Sequence, residues 1–483
     1  FNIKNRKLLD EIINTIVDSE MESLIADLRT LIRCPSVSAK RQGLVECAKI
    51  ISHIMHKAGI KSEILYLNND IDDNNNLDNS GRSDGEKNVP PPIIYGEVVS
   101  KSNPNGATIL FYNHYDVQPE DPIDLWEADP FGGKVEGNYI FGRGSADDKG
   151  ELITRIKAVE YYLKKTGDVP CNVKFIIEGE EEIGSVHIED YLVTYMQKLE
   201  CDVVIWEFGY IDANDTPIIS LGMKGLLYVE LTAKGPCRDA HSSLAVLIEN
   251  PAWKLVRALN SLRDDRGKIL IKDWYREVKE FTPEEIYLIS NEPFNEQEFK
   301  KEYGINKFVN DLTGVEAIKA YVGMPTCNIA GLISGYTNEG AKTVLPAFAT
   351  AKIDFRLVPS MDPEKQFERL KNHLIENGFN DDGIEAKIIH GEAAARTSIN
   401  DPFVKQVEES AREVFGTAIM SVSSAGTGPM YPFVKVLKVP CISVGSTYVF
   451  ARNHSPNEFA RIDLLNKMTK CIGNIMEKIA SSS

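Results

Sequence analysis

The chain has 483 residues, 43% of them hydrophobic and 26% charged, an ordinary globular balance with room for roughly two to four domains and a sizeable core. Lys and Arg number 54 against 71 Asp and Glu, a net charge of −17, which argues against nucleic acid or an anionic membrane as partner. The eight cysteines stand singly, with no CxxC pair, so neither a disulfide framework nor a thiolate zinc site is indicated and a reducing, cytoplasmic setting is expected. The sequence opens on no signal-peptide pattern and carries no apolar run near the roughly 20 residues that span a bilayer.

In chain order, apolar residues recur at helical spacing over 8–59, including Leu24, Leu28, Leu31 and Ile32, with a break at Cys34-Pro35-Ser36; this predicts two packed helices. Residues 68–92 are polar and turn-rich and read as a solvated excursion. Strands are expected over 93–99 and 108–112, the second ending abruptly in Asn113-His114-Tyr115-Asp116. Open α/β sheets place their sites at such strand ends. The stretch 141–150, FGRGSADDKG, sets two adjacent aspartates before an amphipathic helix marked by Leu152, Ile156, Val159 and Leu163. Exposed N–H groups at a helix start favour negative charge, so the pair fits a cation cradle, and equally an N-cap beside a solvated neighbour.

Two more buried-type strands end in carboxylates: 173–177 runs into Glu178-Gly179-Glu180-Glu181-Glu182, and 203–206 into Glu207. Helical patterns near 151–165 and 188–199 alternate with them. The expected fold is therefore α/β, a mostly parallel sheet covered by helices on both faces. After Leu221 the texture changes. Residues 226–233 alternate like an antiparallel strand, a helix is expected over 251–262, and 264–320 is charged with sparse apolar residues, like a peripheral elaboration. Strand patterns at 327–333, 349–357 and 386–390 and a helix ending near Glu376 complete an α+β insertion. The expected division is 1–221 and 396–483 as one domain, with strands near 439–444 and a last helix from Ile462, and 222–395 inserted into it.

Singly, His114-x-Asp116, the 180–182 carboxylates, Glu207 and His454 each fit a solvated loop or turn. Together, two imidazoles with several carboxylates and no cysteine cluster make a nitrogen and oxygen donor set suited to Zn²⁺, Mn²⁺ or Co²⁺. The ordered series NHYDVQP (113–119), GRGSADDKG (142–150), EGEEEIGS (178–185), Glu207, DAHSS (239–243), FRLVP (355–359) and NHSPNE (453–458) resembles the M20 family of dinuclear metallopeptidases along nearly the whole chain. Within that family it is most similar to the carnosine-dipeptidase-like branch, whose catalytic domain is interrupted by a lid.

The resemblance implies two divalent ions, Zn²⁺ first and Mn²⁺ or Co²⁺ as alternatives. His114 and Glu207 would bind separate metals, Glu182 and His454 would complete the set, and Asp147 would bridge. Asp116 would orient the His114 ring, and Glu181 would be the general base. It further implies a cis Asp147–Asp148 peptide, a lid histidine at His241 contacting the scissile carbonyl, and a substrate-carboxylate arginine at Arg356. Thr343 and the loop Gly426-Thr427-Gly428 match substrate contacts more loosely. The sequence departs from the branch at Glu207, where the branch carries aspartate, and at Ser423-Ser424-Ala425.

The implied activity is a metal-activated water attacking the amide bond of dipeptides or short peptides with a free C-terminal carboxylate. N-acyl amino acid deacylation is the alternative, and a catalytically silent metal-binding relative a third reading. The implied assembly is a homodimer joined through the inserted domain, with neither nucleic acid nor membrane as partner.

Overall fold

The computed structural model describes residues 15–67, 89–379 and 383–481. Most of the excursion expected over 68–92, and the start of the helical stretch expected from Leu8, lie outside the described residues. The end of the excursion is packed, since the carbonyls of Pro91 and Pro92 accept hydrogen bonds from the Tyr191 and Tyr115 hydroxyls at 2.9 and 2.7 Å. No helix among the described residues is long and apolar enough to cross a membrane.

The chain divides into two compact units: Phe1–Leu221 with Thr397–Ser421 and Pro432–Ser483, and Gly222–Arg396 with Val422–Tyr431. The expected division places 422–431 in the first domain with the rest of 396–483. Packing groups it with the second unit, where Val422 joins Ile289, Ile318 and Val322 in a small core.

The first unit is built on an eight-stranded sheet in the order Lys61–Leu65, Ile93–Val98, Asn172–Glu178, Thr108–His114, Val203–Trp206, Cys441–Ser443, Ile218–Ser220, Ile419–Ser421. Its four central strands, from Asn172–Glu178 to Cys441–Ser443, run parallel, while the first two strands pair antiparallel. The central strands are near-continuous apolar runs because both their faces are covered. Parallel polarity brings their C-terminal ends to one edge, with His114 in register with Glu178 and Phe111 with Ile205. Glu207, two residues past Ile205, thereby comes level with Asn113.

The helix after the aspartate pair, Lys149–Thr166, is buried along nearly its whole first 14 residues rather than on one stripe. It departs from the amphipathic expectation because its buried charged side chains are paired, within the helix or with neighbouring segments. Arg155 meets Glu151 at 2.6 Å, and Lys157 meets Asp27 and Glu160 at 2.6 and 2.7 Å. Each pair replaces lost hydration with a charge-assisted hydrogen bond. Helices Met21–Ile32 and Ile462–Ala480 pack against this buried helix.

The second unit holds an antiparallel sheet in the order Thr326–Ser334, Phe348–Leu357, Gly225–Lys234, Ile384–Glu392. Period-two alternation sets Leu227, Val229, Leu231, Ile353, Phe355 and Leu357 on the buried face, against Leu255 and Leu262 of Pro251–Leu262 and Leu370 of Pro363–Glu376. The stretch 264–320, expected to be peripheral, contributes more than that. Ile269, Ile271 and Trp274 enter the main core of the unit, with the Trp274 ring centroid 4.7 Å from that of Phe355. Helices Pro283–Asn291 and Gly314–Gly323 close on the smaller core. Its apolar residues are too widely spaced to show a period, yet Ile269, Ile271 and Trp274 enter a core built largely by other segments.

Candidate metal centre

His114 is the last residue of its strand and is fully buried. Its Nδ1 lies 3.0 Å from the Asp116 carbonyl oxygen and 3.3 Å from Asp116 Oδ1, which leaves Nε2 pointing away from the support. Nε2 sits 3.0 Å from Asp147 Oδ1, and 3.9 Å from both Glu181 Oε2 and Glu207 Oε2. On the other side, His454 Nε2 lies 3.1 Å from Asp147 Oδ2 and 3.2 Å from Glu182 Oε2. Asp147 therefore offers one carboxylate oxygen to each imidazole.

The three consecutive glutamates separate by their surroundings. Glu180 is occupied by His187 at 2.7 Å, and Glu182 accepts from Gln118 Nε2 at 2.8 Å besides facing His454. Glu181 faces His114 at 3.9 Å. The buried Asp116 carboxylate accepts the backbone N–H groups of Glu181 and Glu182 at 3.1 and 3.0 Å, so it fixes the glutamate turn as well as the His114 ring. The loop carrying Asp147 turns at Gly144, whose φ of +82° suits glycine and where a Cβ would come 2.6 Å from Val117 Cγ1. The Asp147–Asp148 peptide is cis.

The sequence offers Asp148 as half of an aspartate pair that fits a cation cradle, and the family resemblance gives it no ligand role. Its Oδ2 accepts from the His114 N–H at 3.0 Å and from Asn113 Nδ2 at 2.8 Å, and it lies with His114 and Glu207 in one group whose donor atoms fall within 4.8 Å of one another. Asp147, Glu182 and His454 form a second such group. The signal for Asp148 was the doubled aspartate of ADDKG; that for Gln118 was its place in NHYDVQP, and neither shows which oxygen is engaged.

The second unit collects the other candidates. His241 pairs with Val344 across a short antiparallel ladder, and the Ser242 N–H donates to the Thr343 carbonyl at 3.2 Å, so His241 and Thr343 are neighbours. The His241 side chain is exposed, with Nδ1 2.8 Å from the Ser243 hydroxyl. Arg356 Nη1 donates to Thr427 Oγ1 at 2.8 Å, and the Gly426 N–H donates to Ser424 Oγ at 3.1 Å, which gathers Arg356 and the 426–428 loop. Lys224 stands in the same unit, its ammonium donating to the Met324 carbonyl at 2.7 Å. Burial, Arg356 and Arg396 together push its pKa down to about 8.

The electrostatics of the first-unit cluster fit divalent cations. Burial pushes the Glu181, Glu207 and Asp148 carboxyls well above their ordinary range, against the pull of His114. Burial alone would depress His114, yet Glu207, Asp116 and Asp147 hold it well above its usual value. Hydrogen bonds to Asp147 and Glu182 push His454 up to about 10. Buried carboxylates at this density favour positive charge beside them. Asp148 Oδ1 and Glu207 Oε2 are buried with no hydrogen-bond partner, as expected of oxygens reserved for an ion. Imidazole and carboxylate donors without thiolate suit Zn²⁺, Mn²⁺ or Co²⁺.

Residues 110–478 match the family described as Peptidase family M20/M25/M40. The Cys-Gly metallodipeptidase dug1 of Schizosaccharomyces pombe is 30% identical over 368 residues, 74% of each chain. The Beta-Ala-His dipeptidase of Homo sapiens is 30% identical over 388 residues, covering 78% of this chain and 75% of its own. Among solved structures, an M20 family metallo-carboxypeptidase, Sso-CP2 from Sulfolobus solfataricus, superposes with a TM-score of 0.83 at 38% identity, covering 95% of this chain and 99% of that one. The chain belongs to peptidase family M20/M25/M40. It is a metal-dependent peptidase.

Because the cluster concentrates buried carboxylates, stripping divalent ions with a chelator is expected to lower the thermal unfolding midpoint, and re-adding Zn²⁺, Mn²⁺ or Co²⁺ to restore it. Asp147→Asn is expected to abolish the restoration, read by scanning fluorimetry with metal content measured in parallel.

Proposed function

We propose that this peptidase cleaves the peptide bond of dipeptides and short peptides that carry a free C-terminal carboxylate, using two divalent ions, Zn²⁺ in the first instance. The expectation of separate metals for His114 and Glu207 gives way to one ion held by both, a reading supported by the 3.9 Å between His114 Nε2 and Glu207 Oε2; Glu182 and His454 would hold the other, with Asp147 between them. The observation that carries the reading is the Asp147 carboxylate, with an oxygen 3.0 Å from one imidazole and the other 3.1 Å from the second. The relatives named above include two dipeptidases and a carboxypeptidase, which favours peptides over N-acyl amino acids.

Ions bound there would supply Lewis acidity, polarising a carbonyl and lowering the pKa of water. Glu181 takes the proton of the attacking water as its oxygen bonds to the carbonyl carbon, and returns that proton to the leaving amine nitrogen as the C–N bond breaks. Asp116 keeps the His114 ring and the Glu181 backbone in place. In the second unit His241 donates to the carbonyl oxygen as negative charge develops there, and the Arg356 guanidinium pairs with the substrate carboxylate. Thr343, Gly426, Thr427 and Gly428 make further contacts to the substrate.

A homodimer joined through the second unit belongs to the same reading. Its support is the Thr326–Ser334 strand, which among the described residues pairs on one side only and leaves Ile329, Leu332 and Ile333 about half exposed, at 49%, 56% and 58%. An unpaired apolar edge is a template for association, and a two-fold axis would satisfy both copies.

Glu181→Gln keeps volume and removes the proton acceptor. It is expected to lower kcat by about 10²- to 10⁴-fold with metal content unchanged; activity near wild type at full metal content would refute the role. A dipeptide amide should be hydrolysed roughly 10- to 150-fold less efficiently than the free acid in kcat/KM, the worth of a charge-assisted contact, and Arg356→Met should erase the difference. Mixing inactive Glu181→Gln protein with inactive His241→Ala protein is expected to restore activity if each His241 serves its partner's site. No recovery after demonstrated subunit exchange would assign His241 to its own chain.

A further inference from the structure

Glu458 is 1% exposed and four residues past His454. Its Oε1 accepts the backbone N–H groups of Ala146 and Asp147, both at 3.0 Å, and its Oε2 accepts the Gly144 N–H at 3.1 Å and Arg143 Nη1 at 2.8 Å. The Arg143 guanidinium, also buried, donates onward to the Ser455 carbonyl at 3.3 Å and the Pro119 carbonyl at 3.1 Å, and lies 5.3 Å from the Trp126 ring centroid. The Gly142 N–H donates to the Glu458 carbonyl at 2.9 Å. One buried ion pair therefore ties together the three segments that carry His114, Asp147 and His454.

We infer that Glu458, with Arg143, is a positioning residue that holds the Asp147 and His454 loops at the mutual spacing the Asp147–Glu182–His454 ion site requires. The inference rests on the metal-site reading above and assigns Glu458 no contact with substrate or ion. Its chemical reason lies in the donor count. Four N–H groups converge on one side chain, and only a carboxylate, with two acceptor oxygens and no hydrogen, accepts all four. Glutamine keeps the shape but turns an NH₂ toward two donors, so at least two of the four bonds are lost where water cannot replace them. The His114–Glu207 side of the centre depends on this clamp only through Asp147 and the Pro119 carbonyl, whereas the Asp147–Glu182–His454 side has two of its three ligands on clamped loops.

The test is titration of metal-free wild-type and Glu458→Gln protein with Co²⁺, followed by calorimetry and visible absorption, beside the unfolding midpoint of the metal-free proteins. Wild type is expected to take two equivalents. The variant is expected to bind one with little change and the other about 10- to 100-fold more weakly, the usual effect of removing a group that orients ligands, with a metal-free midpoint close to wild type. Arg143→Lys, which leaves the three backbone donors on Glu458, should weaken the same equivalent less, and it serves as the probe should Glu458→Gln fail to fold. Wild-type affinity for both equivalents in either folded variant overturns the inference and leaves the metal-site reading standing. An equal loss at both equivalents, together with a lowered midpoint, also overturns it, because the clamp would then be support for the fold alone. Absence of metal uptake by the wild type would overturn the metal-site reading itself.

Discussion

The constraint on which the first unit depends is the crowding of like charge at the C-terminal ends of its parallel strands. Asp116, Asp147, Asp148, Glu181, Glu182 and Glu207 converge around two imidazoles, in surroundings where an unpaired carboxylate is expensive. Backbone N–H groups are spent on the carboxylates that support: Asp116 takes two, Glu458 takes three, and Asp148 takes the N–H of His114. The oxygens left without partners are those a cation would meet. Stability and function share one solution here, since what relieves the repulsion is also what polarises a substrate.

That arrangement explains the character of the helix behind it. Lys149–Thr166 starts directly after the aspartates and is buried over its first 14 residues among the sheet and neighbouring helices, so its buried part carries charge only where each charge has a partner. The Arg155 guanidinium donates to the Trp206 and Val444 carbonyls at 3.2 and 2.8 Å, and Glu151 accepts from Thr447 Oγ1 at 3.0 Å. These bonds hold the ends of two parallel strands, one of which delivers Glu207. Side chains that look solvent-directed in sequence are struts for the strand ends.

The second unit is built on a different principle. Its antiparallel sheet buries one face; His241 sits beside Thr343 on a short ladder, and Arg356, near the end of the Phe348–Leu357 strand, meets Thr427 of a loop. Lys224 and Arg356 face no carboxylate among the described residues within ion-pairing distance, a surplus of positive charge that suits an anionic ligand. The two units thus hold complementary chemistry, one anionic and cation-seeking, the other cationic and anion-seeking.

Much of this was legible in residue order. The strands 203–206 and 108–112 and the helix 251–262 announce themselves by apolar pattern and by their bounding turns, and strand-end polar residues pointed to His114, Glu207 and the 178–182 carboxylates as a group because a parallel sheet must bring those ends together. The sequence by itself determined the donor types, their order and the periodicities, which are local properties of composition and spacing. Only the tertiary structure decided that Glu180 turns to His187 while Glu181 faces His114, that Asp148 joins the cluster, that the sparse residues of 264–320 enter a core, and that 422–431 packs with the second unit. Each of those outcomes depends on which side-chain atom meets a partner tens or hundreds of residues away, as when Glu458 closes on Gly144, Ala146 and Asp147, and no local period records such a meeting.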